Sequence, residues 1–215
     1  MSAETNFGDL PPVIATLTIE PNTPSVKTVE EVLALTKPTE RFVCPLDANK
    51  YGIEFIGITM VDGDNPKREL YHSGDGTGCG VDDYLGMLRF LSMMGDDSPR
   101  VLEYELDSAF LDVPHVQITT AFKVHGKEPL PNLRMIERHY HKDKLLMSYD
   151  FTYPGASPAP GENATWSFVY DLPEISPEEK QEIISNPGSV ESDSFYFING
   201  ELQMHHKAIY IYTKK

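Results

Sequence analysis

Glu137, His139 and His141 stand at alternate positions of MIERHYHKDKLLMSYDF, residues 135–151. A β-strand sends alternate side chains to the same face, so a carboxylate and two imidazoles would line up there. Two histidines with a carboxylate make a metal-ligand set. A Glu–His pair makes a general acid–base set. A few inward polar groups among apolar ones are also what orients a ligand in a deep pocket. The structural alternative is that Glu137 and His139 hydrogen-bond each other or nearby backbone inside a core. Alternate positions on one strand lie about 7 Å apart, so a metal would need further ligands from another strand. His115, His125, His205 and His206 are the remaining candidates, and none lies in a motif of recognised spacing. Nothing in the chain resembles a nucleophile elbow or an oxyanion loop.

The elements that would position these residues follow from alternation. On LRMIERHYH, one phase holds Leu133, Met135, Glu137, His139 and His141. Across Lys142-Asp143, the matching phase of the next strand is Leu145, Met147, Tyr149, Phe151 and Tyr153. The opposite phase is mixed, with Arg134, Ile136, Arg138 and Tyr140 facing Leu146, Ser148, Asp150 and Thr152. The odd phase is thus the apolar one, and Glu137 and His139 point into it. Similar β-branched and aromatic runs occur at 53–61, 69–72, 100–106, 115–124, 164–171, 193–198 and 206–213. Turn residues separate them, with Asn199-Gly200 the strongest hairpin signal. About nine short antiparallel strands predict an all-β fold, a β-sandwich. Two helices carry capping boxes: TVEEVLALT opens on Thr28 with Glu31, and SPEEKQEIIS on Ser176 with Pro177 and Glu179. Residues 1–27 read as a flexible arm, with VIATLTIE (13–20) as a short strand, ahead of one domain spanning 28–215.

Segment 72–99 stands apart. Gly74, Gly76, Gly78 and Gly80 mimic a phosphate loop, but no Gly-Lys-Ser/Thr follows. Asp82 and Asp83 sit where the helix would meet the phosphate, so repulsion would defeat such a site. YLGMLRFLSMM is amphipathic and predicts a short helix packed on the sandwich.

Composition narrows the function. Lys and Arg number 18 against 33 Asp and Glu, a net charge of −15. That disfavours nucleic acid and anionic membrane surfaces, which reward clustered cations. The apolar runs are too short to span a bilayer, and MSAETNFGDL lacks the segments of a signal peptide. Cys44 and Cys79 do not read as a disulfide framework, so a reducing, cytoplasmic setting is expected. Asn163-Ala164-Thr165 matches a glycosylation sequon and is read as chance.

LRMIERHYHKDKLLMSYDF, FVYDLPEISPEE and SDSFYFINGELQMHHKAIYIY together resemble the uncoordinated-119 homologues, lipid-binding chaperones related to the delta subunit of rod phosphodiesterase. VEEVLALTKPTERFVCP, YGIEFIGITM and RVLEYELDSAFL follow in the same order, so the resemblance covers about residues 28–62 and 100–213. Segment 63–99 does not follow it and suggests a flap. The resemblance implies an immunoglobulin-like β-sandwich with a hydrophobic cavity between the sheets, serving a non-enzymatic carrier without cofactor or metal. Such a carrier takes up the myristoyl group of N-terminally acylated proteins and moves them, often to a cilium or flagellum. An ADP-ribosylation-factor-like small GTPase releases the cargo. Position by position, it implies a lipid wall of Phe55, Tyr104, Phe110, Tyr149, Phe151, Tyr170 and Tyr210. Ile58, Phe168 and Leu172 stand on that wall where relatives often differ. Glu137 would accept backbone N–H groups of the acylated glycine, with His139, Ser194 and Tyr196 as its polar neighbours. His141 is read as incidental. A pocket can compete with a bilayer for such a group, because one myristoyl chain anchors only marginally, with a constant on the order of 10⁴ M⁻¹.

Overall fold

The computed structural model describes residues 27–214; positions 1–26 of the arm, with its expected strand at 13–20, lie outside them. Among the described residues the strands form two sheets. The first contains β1 (Ile53–Asp62), β2 (Glu69–Ser73), β4 (His115–Val124) and β7 (Asn163–Asp171), in the order β2-β1-β4-β7. The second contains β3 (Val101–Asp107), β5 (Leu133–His141), β6 (Lys144–Thr152), β8 (Val190–Ile198) and β9 (Glu201–Thr213), in the order β3-β9-β8-β5-β6. The sheets pack face to face as a sandwich, and aromatic contacts such as Phe55–Tyr196, Tyr71–Tyr104 and Phe151–Phe168 cross between them. No helix is long and apolar enough to cross a membrane among the described residues.

One pairing departs from the antiparallel expectation: β3 runs parallel to β9. Parallel neighbours need a long connection, and here the partner is the last strand, far along the chain. Alternation marks where strands fall and leaves partner and direction open.

The local signals act as the residue types require. Asn199 and Gly200 both take positive φ, 51° and 81°, as a tight hairpin turn between β8 and β9 demands. Thr28 and Glu31 close the capping box of α1 (Val29–Leu33), and Ser176 and Glu179 that of α3 (Pro177–Ser185). Asp83 caps α2 (Tyr84–Met94), accepting from the Gly86 N–H, so its carboxylate holds the place a phosphate would need.

The even phase of β5 is buried too. Ile136 and Tyr140 are fully buried and Arg138 nearly so. The cover is the segment from α1 to Pro45, whose Val32 joins Ile136, Phe195 and Phe197 in a second core. Asp193 pins this segment: it accepts from the Thr39 N–H at 2.7 Å, Lys207 Nζ at 2.6 Å and His205 Nε2 at 3.0 Å. Burial opposes ionisation of Asp193, but the His205 and Lys207 contacts outweigh it and hold the carboxyl below its ordinary range. His205 Nδ1 accepts from the Val43 N–H at 3.2 Å, which leaves Nε2 as the protonated nitrogen facing Asp193.

Candidate functional site

Between the sheets lies a cavity of about 580 Å³, inside the range of small-ligand pockets. Its polar centre is Glu137. β5 places this residue between Tyr149 of β6 and Ser194 of β8, and Ser194 pairs in turn with His206 of β9. Tyr149, Glu137, Ser194 and His206 thus form one row across four adjacent strands. The next row holds Met147, His139, Ser192 and Ala208.

Glu137 is 8% exposed, and three hydroxyl groups donate to it. Ser194 Oγ donates to Oε1 at 3.1 Å and Ser192 Oγ at 3.4 Å, while the Tyr170 hydroxyl donates to Oε2 from the facing sheet. A carboxylate offers about four lone-pair directions, so acceptor capacity is left for a ligand N–H. His139 Nε2 lies 3.4 Å from Oε1 but is not aligned to hydrogen-bond it, and that nitrogen is buried without a partner. Its ring sits among Tyr149, Tyr170 and Tyr210. The site therefore has one underused acceptor and one orphan imidazole nitrogen on the same wall.

The aromatic wall is continuous. Tyr149 stacks on Tyr170 at 4.1 Å, and Phe151 on Phe168 at 4.8 Å. Tyr104 stacks on Tyr210 at 5.3 Å, and Phe55 meets Tyr196 at 5.2 Å. Burial, followed by the nearby Glu137 charge, pushes the phenols of Tyr104, Tyr149, Tyr196 and Tyr210 up, which keeps them as hydrogen-bond donors. Phe55, Ile58, Tyr104, Phe110, Phe168, Tyr170, Leu172, Tyr196 and Tyr210 line the cavity with Glu137 and His139. Tyr149 and Phe151 stand behind the lining, stacked on it, and Ser194 reaches the site through Glu137.

His141 falls outside. It lies at the end of β5, past the cavity, and its Nε2 is buried without a partner. Among the described residues, no three His, Cys, Asp or Glu side chains gather as a metal would require.

Several lining residues escaped the sequence reading. Met204, His206 and Tyr212 share the inner phase of β9 with Tyr210 and were legible from alternation. His206 sits between Phe55 and Tyr196, at 5.6 and 5.2 Å between ring centroids. Burial pushes its imidazole down to about 3, so it stays neutral. Tyr84, Met87, Leu88 and Leu91 of α2 also line the cavity. The amphipathic period of this stretch predicts a packed helix, but not that its packed face lines the cavity.

Residues 47–212 match the family model described as GMP-PDE, delta subunit. The chain is 34% identical over 197 residues to the protein unc-119 homolog of Drosophila melanogaster, covering 86% of this chain and 72% of that one. Against protein unc-119 of Caenorhabditis elegans, identity is 34% over 185 residues, with 86% and 79% covered. Against protein unc-119 homolog B of Homo sapiens, it is 32% over 199 residues, with 86% and 71% covered. The chain therefore belongs to the GMP-PDE delta-subunit family as an unc-119 homologue, a membership that supports a lipid-binding carrier role rather than an enzymatic one.

Proposed function

We propose that this protein carries N-myristoylated proteins, holding the acyl chain in the cavity and the acylated glycine at Glu137. The observation that carries this reading is Glu137 itself, a buried carboxylate lining an aromatic cavity, with hydroxyl and imidazole neighbours and spare acceptor capacity. An acylated glycine has lost its charged amine and presents amide N–H groups. Glu137 suits these as a hydrogen-bond acceptor with no need of an ion pair. The stacked aromatic wall suits the chain, because each buried methylene contributes about 0.8 kcal/mol. Cargo release by a GTP-loaded ADP-ribosylation-factor-like GTPase, and delivery to a cilium or flagellum, belong to the same reading and rest on the resemblance.

Fluorescence polarisation with three labelled peptides tests it: a myristoylated Gly-start peptide, a farnesylated C-terminal peptide and an unmodified one. Selective binding of the myristoylated peptide is expected. Preference for the farnesylated peptide would move the protein to prenyl carriage on the same fold, and binding to none would overturn the carrier. Adding the GTP-loaded GTPase should speed peptide release relative to the GDP form, and equal rates would remove that partner.

A further inference from the structure

We propose that α2 is the ruler of the cavity, with Met87 and Leu91 forming the wall at which the far end of a bound acyl chain stops. The inference rests on the carrier reading and adds what fixes chain length. The polar end of the cavity is set by Glu137 on β5. From there the inner face runs across β8 to β9, where His206 meets Phe55 of β1 from the facing sheet. α2 adds its own residues to the cavity lining and packs on the turn Leu46–Ala48, where Leu46, Tyr84 and Leu88 share a core cluster. Tyr84, Met87, Leu88 and Leu91 recur at helical spacing, so one face of the helix points to the cavity. The opposite face is solvent-exposed, with Met93 87% accessible.

A ruler must be fixed, and α2 is anchored at both ends. Near its C-terminus, Ser92 Oγ donates to Asp47 Oδ1 at 3.0 Å. Near its N-terminus, Tyr84 stacks on His125 at 4.5 Å and 19°. The same His125 places Nε2 2.7 Å from Glu54 Oε2, while Glu54 Oε1 accepts the Cys79 N–H and so ties down the glycine loop that leads into the helix. Gly78 passes so close that a Cβ there would lie 2.7 Å from Glu54 Oε2, at a φ of +77°. Gly78 thus serves a close approach to a carboxylate, a use opposite to a phosphate cradle.

Each pair of methylenes added to an acyl chain should raise affinity roughly fifteenfold until the chain meets the wall, and no further beyond it. The experiment measures affinities of the full chain for decanoyl, lauroyl, myristoyl, palmitoyl and stearoyl Gly-start peptides of one sequence. Met87→Ala with Leu91→Ala should move the break to a longer chain. Leu91→Trp should move it to a shorter one and cut affinity for the longest well-bound chain by roughly tenfold or more. Met93→Ala, on the exposed face, should leave the series unchanged. Should the double variant unfold, Leu91→Trp alone decides, since it keeps the helix face apolar. A wild-type series with a break that neither lining variant moves overturns this inference and leaves the carrier standing. A wild type that binds no acylated peptide overturns both.

Discussion

Glu137 and Tyr170 meet across the interior of the sandwich: the tyrosine hydroxyl on β7 donates to the carboxylate on β5. This bond ties the two sheets together at the polar end of the cavity. The Tyr170 ring meanwhile stacks on Tyr149 at 4.1 Å and 7°. Tyr170→Phe keeps the stack and removes the donor. Hydrogen bonds to charged groups contribute about 1.5–3 kcal/mol. The variant should lose stability in that range by thermal or denaturant unfolding, and an unchanged midpoint would show the bond to be without net value.

Glu137 has a second role in the carrier reading. Glu137→Ala should weaken a myristoylated Gly-start peptide by about tenfold or more, the cost of leaving ligand N–H groups without an acceptor. Glu137→Gln, which keeps one carbonyl acceptor, should lose less. Circular dichroism establishes that both variants are folded. Equal affinities for wild type and a folded alanine variant would remove Glu137 from the binding role.

The cavity also predicts a pH dependence. The unfolded His206 takes up a proton below its ordinary value of 6.5, whereas the native ring resists until about 3. Between those values the unfolded state binds more protons, so stability rises with pH and falls on acidification. The slope approaches about 1.4 kcal/mol per pH unit from this group. His205, also held down by burial, contributes in the same direction. His206→Gln should flatten the stability curve below the ordinary imidazole value by up to that amount. A curve as steep as wild type would contradict the neutral, half-buried ring.

Glu54 gives α2 its own acid sensitivity. Burial opposes its ionisation, but the Cys79 N–H and His125 hydrogen bonds outweigh it and leave the carboxyl below its ordinary value of 4.5. The stability from this anchor is present above that value and lost as pH falls below it. Glu54→Ala should speed amide hydrogen exchange in α2 and in the loop before it, with β5 and β8 unaffected. Uniform exchange across the chain, or none gained in α2, would show that Glu54 does not anchor the helix.

Much of this protein was legible in its sequence because alternation and capping are local. Glu137 and His139 share the inner phase of β5 with Leu133 and Met135, and the capping boxes at Thr28 and Ser176 start helices where the residues said they should. Most of the aromatic residues named from the resemblance lie along the cavity. Tertiary structure decided what no short period encodes. It put β3 parallel to β9, covered the even phase of β5 with the segment after α1, and aligned His206 with Glu137 across intervening Ser194. It also made α2 a wall of the cavity. The physical reason is range. A side chain's phase depends on its own strand, whereas its neighbours depend on pairings between residues that meet only when the sheets form.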